Sequence, residues 1–422
     1  MLVRVCTLKV IVVLCGVSVF KTQTHGQSLR EAIDAMLVEF PRIRAGQTDV
    51  KIGQEEIVTA QSFRRPQLGL SLRGGEERFR NTFSNVALAK MGSVSLEANQ
   101  LLFDGGSARN RIVEARALNR GTQIDLETTR QALALDLSQN YVDILKYRKL
   151  IRFAKESVQI HQKALDKTLI KFSAGAGPQA DVELVRARLS MSEATLEARH
   201  RQLSYAVNAY QKYTGTAPGE LVEPEFPDWA LPLSIEEVDL GSNPRIQSAR
   251  ARITANEARY EGAKSEFAPK LNLFVQGDTT DSARSINRTE DASALIVMSY
   301  DIFGGGRRKA ELRKTRSIID RSIFDLEDTK IEIQASFLNA WNDLVIAEER
   351  LYRLEEYRDA MNSVVSAYQR QFELGKRALI NVLDVENELF SAKSSVAEER
   401  YNRLQAVYRA LAATGSLLET IY

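Results

Sequence analysis

The sequence predicts an α+β membrane protein in which long antiparallel helical hairpins stand beside four short strands, the whole unit written twice along the chain. Three observations carry this. The 422-residue chain matches itself at an offset of about 200, heptad-spaced apolar residues run through one very long segment in each copy, and short stretches of period-two alternation precede those segments. Hydrophobic residues at 44% and charged residues at 27% exclude a disordered chain, and only 9 Pro leave room for long unbroken helices.

The N-terminus reads as a secretory signal peptide over 1–26. Arg4 and Lys9 form its positive region, and Val10 to Phe20 an apolar core too short to span a bilayer. Cleavage is expected after Gly26, with Thr24 at the −3 position. It would remove Arg4, Lys9 and Lys21, so the formal charge of +2 becomes −1, and it would remove Cys6 and Cys15, the two cysteines. A near-neutral chain gives no support to nucleic-acid binding. The three His are scattered at 25, 161 and 200, so no His/Cys metal cluster is expected. No phosphate loop and no grouped Ser, His and Asp appear, so neither an enzyme nor a cofactor is expected.

The repeat is read from matched segments. PRIRAGQ at 41–47 answers PRIQSAR at 244–250, FDGG at 103–106 answers FGGG at 303–306, and Phe172 and Gly175 answer Phe372 and Gly375. The first unit is 27–215 and the second 244–422. Between them, 216–243 holds Pro218, Pro224, Pro227 and Pro232, a Pro-rich linker that breaks helix.

Each unit has one order of elements. A helix is expected from 29 to 62, and in the second copy from 244 to 266. Leu68, Leu70 and Leu72, then Val94, Leu96 and Ala98, alternate with polar residues as half-buried strands do; the second pair is expected at 270–277 and 293–303, with polar loops at 73–85 and 278–291. The sequon at Asn287 is read as chance. Glycine corners follow at Gly105 and Gly106 and at Gly304, Gly305 and Gly306. Then Leu137, Ile144, Ile151, Val158, Leu165 and Phe172 fall seven apart, as do Phe337, Leu344, Leu351, Arg358, Val365 and Phe372, with one polar exception. Val142, Leu145, Phe153 and Ile160 make a second stripe, so this helix meets neighbours on two sides. A return helix over 178–215 carries a 3,4 pattern from Val182 to Tyr213. Core packing is the expectation for Tyr141 and Trp341.

Lengths then constrain assembly. Residues 107–172 as one helix reach about 99 Å, and the two shorter helices of the unit, end to end, about the same. Strands of about 10 residues suit a tilted outer-membrane sheet. Four of them cannot close a barrel and lipid tolerates no open edge, so two chains with eight strands or three with twelve are needed.

The doubled order, the corner LFDGG at 102–106 and the tips FSAGAGPQADVELVRARL (172–189) and FELGKRALINVLDVENELF (372–390) resemble the TolC family of outer-membrane efflux and secretion ducts. The resemblance covers essentially the whole mature chain. It implies a homotrimer, a twelve-stranded barrel in the outer membrane of a Gram-negative bacterium, and a periplasmic α-barrel forming a tunnel. It also implies a periplasmic adaptor and an inner-membrane ABC exporter or proton-driven pump as partners. Within the family, LINVLDVENELF and RALAATGSLL (409–418) look most like type I protein secretion ducts; small-molecule efflux is the alternative. A periplasmic coiled-coil structural protein is the reading of another class. The resemblance places the tunnel aperture at Asp384, Asn381, Asp181 and Arg377, and adaptor docking at the tips, with Gly175, Pro178, Gly375 and Lys376. With Asn at 381, the family's acidic ring would hold three carboxylates rather than six. Phe372 stands where the family's best-known member has Tyr, which leaves Arg377 to pair with Asp181 or a carbonyl. The basic residues after each corner, Arg109, Arg111, Arg116 and Arg120 in the first copy and Arg307, Arg308, Lys309, Arg313, Lys314 and Arg316 in the second, are expected just below the inner leaflet, near lipid phosphates.

Overall fold

The computed structural model describes residues 26–81, 84–231, 240–282 and 288–422. Residues 1–25 of the expected signal peptide, Pro232 of the linker and Asn287 lie outside them. The elements are α1 (Leu29–Glu39), α2 (Pro41–Ser62), β1 (Gln67–Asn81), β2 (Ser84–Phe103), α3 (Ser107–Ser173), α4 (Gln179–Thr214), α5 (Pro244–Ser265), β3 (Lys270–Ser282), β4 (Thr289–Ser299), α6 (Arg307–Glu373), α7 (Leu379–Thr414) and α8 (Leu417–Ile421).

The expected single helix at 29–62 is two helices. Phe40 is extended (φ −65°, ψ 127°) because the following Pro41 disfavours helical backbone before it, and Pro41 then opens α2. Ser28 starts α1 with a capping box to Glu31. The strands also run further than alternation indicated. β1 and β2 have 15 and 20 residues, and their ladder reaches Phe79↔Ala87, through much of the segment expected as a loop. β3 likewise extends to Ser282, and β4 ends at Ser299, before the expected 303. Inter-strand hydrogen bonds tolerate the Gly and charged residues of these extensions, whereas hydropathy does not report them.

The sheet is antiparallel in the order β1-β2-β3-β4. Register stacks Leu68 on Ala98, Leu70 on Leu96 and Leu72 on Val94, and farther across it Leu271 on Met298 and Leu273 on Ile296. One face is therefore a continuous apolar band whose large side chains are mostly exposed, the signature of a surface facing hydrocarbon. The opposite face carries Gln67, Ser71, Ser95 and Asn99 in β1 and β2, and Asn272, Phe274, Leu295 and Val297 in β3 and β4.

α3 and α6 have 67 residues each, about 100 Å at ~1.5 Å per residue. α3 is the central rod. One side takes α2 above and α4 below, and the other takes α5 above and α7 below. Ser248 of α5 donates to Asp125 Oδ1 at 2.5 Å near the top of α3, and Gln405 of α7 donates to Asp143 Oδ1 at 2.9 Å farther down. α6 packs against α5 and α7. Hence α3 buries twenty residues while α6, of equal length, buries eight. The heptad stripe of α6 that is covered includes Phe337, Leu344 and Val365; Phe324, Ile331, Val345 and Ile346 are exposed.

The main core surrounds the middle of α3. Ile33, Met36, Leu137, Tyr141, Ile144, Tyr210 and Val407 are fully buried there. Tyr141 shares its one hydroxyl proton between the Val222 carbonyl (2.6 Å) and the Gln27 carbonyl (2.8 Å), joining α3 to a parallel bridge between Gln27 and Leu221. Burial, and then the neighbouring Tyr210, push the Tyr141 phenol upward from its usual range, so it stays a neutral donor. Trp341 is half-buried, its ring 5.9 Å from that of Phe337.

The two corners differ within one motif. Gly105, Gly106, Gly305 and Gly306 all have positive φ, between 62° and 95°; Gly304 is not among the positive-φ glycines. In the first copy Asp104 accepts from the Gly106 and Ala108 amides at 3.0 and 2.6 Å. Gly304 occupies that place in the second copy, and Arg308 ties the corner instead by donating to the Asp301 and Glu266 carbonyls. A Cβ at Gly105 would lie 2.4 Å from Ala268 Cβ and 2.8 Å from the Ser265 carbonyl oxygen, whereas at Gly305 it would meet nothing within 4 Å. Gly305→Ala is therefore expected to cost about 1 kcal/mol from backbone strain alone. Gly105→Ala adds overpacking and should cost about 2–4 kcal/mol. Thermal unfolding of the two variants measures the difference, and equal midpoints would contradict it.

Candidate functional site at the helical tips

Both long helices end in the same turn, and the sequence dictates it. Gly175 and Gly375 take φ of 71° and 70°, which favours glycine. Gly175 donates to the Phe172 carbonyl and Ala176 to the Lys171 carbonyl, at 2.9 and 2.8 Å; Gly375 and Lys376 repeat this to Phe372 and Gln371, both at 2.9 Å. This is a Schellman closure, leaving a backbone loop at the far end of a rod. Pro178 is the N-cap of α4 rather than a residue of its first turn, and Ala378 has the same place before α7. A Cβ at either Gly175 or Gly375 would meet nothing within 4 Å, so both turns project into open space. Lys376 and Leu374 are exposed beside the second.

Behind the turns the two hairpins touch. Leu383 of α7 is buried with Ala164 and Leu165 of α3 and with Val182, Val185 and Leu189 of α4; Leu379 packs on the same cluster. Arg188 of α4 pairs with Asp384 of α7 at 2.7 Å, and Arg199 with Glu398 at 2.9 Å. Asp384 is thus held by an arginine of its own chain, which the sequence reading did not contain. Asn381 and Asp181 are exposed near the starts of α7 and α4, and their amides donate to Ala378 and Pro178 carbonyls at 3.2 Å. Arg377 is engaged on its own hairpin. Its Nε donates to Gln371 Oε1 at 2.7 Å and its guanidinium lies 3.5 Å from the Tyr368 ring centroid. Phe372, without a hydroxyl, is flanked instead by the ammonium groups of Lys167 and Lys171, at 5.9 and 5.1 Å. The structure therefore brings Asp384, Leu379 and Leu383 onto the neighbouring hairpin, and leaves Asp181 and Asn381 at its rim.

The basic residues after the second corner meet partners in their own chain. Arg307 pairs with Glu266, Lys314 with Glu311 and Arg316 with Asp320, at 3.6, 3.3 and 3.5 Å. Arg308 stacks over Phe267 at 5.2 Å. Among the described residues no helix is long and apolar enough to cross a membrane, and no group of three or more His, Cys, Asp or Glu is placed to hold a metal ion.

A family model described as outer membrane efflux protein matches residues 32–216 and 238–416, one match to each structural repeat. The chain belongs to the outer membrane efflux protein family. It is 21% identical over 403 residues to the outer membrane efflux protein BepC of Brucella suis, covering 93% of this chain and 87% of that one. To the outer membrane protein TolC of Escherichia coli it is 22% identical over 435 residues, covering 97% and 87%. The alkaline protease secretion protein AprF of Pseudomonas aeruginosa is 24% identical over 281 residues, 64% of this chain and 56% of that one. A crystal structure of a membrane protein from Pseudomonas aeruginosa superposes with a TM-score of 0.82 at 19% identity, covering 92% of this chain and 90% of that one, and so shares the fold. The protein is an outer-membrane transport duct with a periplasmic tunnel, not an enzyme.

Proposed function

We propose that the protein is the outer-membrane component of a type I protein secretion system, that its working unit is a homotrimer, and that its tips dock a periplasmic adaptor fed by an inner-membrane exporter. The observation that carries the assembly is the pair of complementary raw edges. Among the described residues β1 and β4 each lack a neighbour on one side, and the uncovered side of α6 carries the apolar residues of a stripe that on α3 is covered. The opposite end of the wall, α2 and α4, exposes Ile52, Val58, Leu184, Met191 and Tyr205. The two ends are different surfaces, so copies join head to tail and close as a ring. Two chains give eight strands, a barrel filled by its own side chains; three give twelve and leave a lumen.

Type I secretion is supported by the tip sequence LINVLDVENELF, which forms the start of α7, and by the likeness to a protein named for protease secretion. The efflux alternative is favoured by the family description and by BepC. A deletion strain separates them. The expected result is loss of a large protein from the culture medium with unchanged sensitivity to small toxic compounds; the reverse pattern would favour efflux. In mild detergent the purified protein should have the mass of three chains, and a stable monomer with intact strand signal would contradict the ring.

The tip turns give a sharper prediction. Gly375→Val has free space and adds only backbone strain of about 1 kcal/mol, too little to unfold the hairpin. It should leave assembly intact and abolish export, and Gly175→Val should act alike. Normal export by an assembled variant would remove that turn from the docking surface.

At the aperture, Asp384 carries a carboxylate partly neutralised by Arg188. Arg188→Gln should raise the cation preference of the duct in planar bilayers, and Asp384→Ala should lower it. Unchanged reversal potentials in a salt gradient for both variants would place Asp384 away from the mouth.

A further inference from the structure

We propose that each chain carries an anion-binding station at the junction of barrel and tunnel, on the lumen side, suited to phosphate groups on solutes in the duct. A cavity of 260 Å³ lies where α2 ends, β1 begins and α3 starts. Three cationic side chains from separate elements line it: Arg65 just before β1, Arg111 in the first turns of α3, and Lys270, the first residue of β3. Arg111 is fixed by stacking over the Phe63 ring at 4.9 Å. The carboxylate in the lining, Asp104, is occupied by the Gly106 and Ala108 amides. Among the described residues no ion pair holds Arg65 or Lys270, and Arg111 shares the charge of Glu114, one turn on in α3, with Arg259.

Sheet register assigns the side. Gln67 pairs with Asn99 and Leu101 with Asn272, and Lys270 lies two residues before Asn272, so these residues share one face. It is the face opposite Leu68, Leu96 and Leu273, which form the apolar band. In the ring proposed above, on which this placement rests, the face of Gln67, Asn99 and Asn272 looks into the lumen. Lipid phosphate on the outer surface is therefore not the occupant.

Three cations around one cavity favour anions of high charge, and a pyrophosphate carries more charge than sulfate or a carboxylate. None of this is visible along the chain, because Arg65, Arg111 and Lys270 are far apart in sequence and converge only once the corner has folded.

The test is isothermal titration of the full-length protein in detergent with inorganic pyrophosphate, and with sulfate for comparison. The expected result is one saturable pyrophosphate site per chain, at least tenfold weaker sulfate binding, and loss of affinity at high salt. Arg65→Gln/Lys270→Gln should weaken pyrophosphate at least tenfold. Arg313→Gln, in the nearby basic run but outside the cavity, should not. If the double variant fails to assemble, Lys270→Met alone should still weaken binding severalfold. No saturable binding by the unaltered protein, or equal binding by the cavity variants, would overturn the proposal. So would native mass spectrometry showing a retained phospholipid displaced by pyrophosphate, which would put the cavity on the lipid side. Because binding is read per chain without export, a negative result leaves the secretion reading standing, and a failed secretion test leaves this site standing.

Discussion

Hydrocarbon cannot satisfy the free amides and carbonyls of a sheet edge, and the rest of this protein follows from that constraint. Among the described residues the four strands form one open sheet with two such edges, β1 and β4. The same incompleteness runs down the helical wall. α3 has neighbours along both sides, whereas α6, the same length and written by the same repeat, is covered on one side only. The repeat thus gives one interior rod and one edge rod, and the edge rod carries apolar residues on its uncovered side.

The tips obey a different logic. A wall of rods about 100 Å long must reverse direction within a few residues at its far end. Gly175 and Gly375 permit this by adopting left-handed backbone, with open space around the position each Cβ would take. Just behind them, Leu383 is buried with residues of α3 and α4, while Arg188 and Asp384 pair across the same contact. An exposed ion pair of this kind contributes roughly 0–1 kcal/mol, so the contact rests on apolar packing.

Much of this was legible along the chain. The heptads from Leu137 and Phe337, with the glycine corners before them, marked both long helices, because a coiled contact must repeat its apolar residues wherever it runs. The corners were legible as glycine. Three things were not. The break at Phe40–Pro41 was hidden inside an apolar pattern that continued across it, although the repeat already began its second copy at Pro244. The strands were underestimated because their extensions are held by backbone pairing through residues such as Arg73, Gly74 and Gly75, which carry no alternation. The partner of Asp384 was missed because Arg188 is a residue of another hairpin nearly two hundred positions away; only the packing of α7 beside α3 brings it within reach.

The central claim is that the two raw edges of one chain are completed by other copies. Hydrogen exchange of the assembled protein in lipid nanodiscs, resolved strand by strand, tests it directly. If β1 and β4 pair between chains, the amides of their membrane-facing segments, around Leu70 and Ile296, will be protected as strongly as those of β2 and β3. Rapid exchange confined to β1 and β4 would mean that the edges stay open, and would contradict the account.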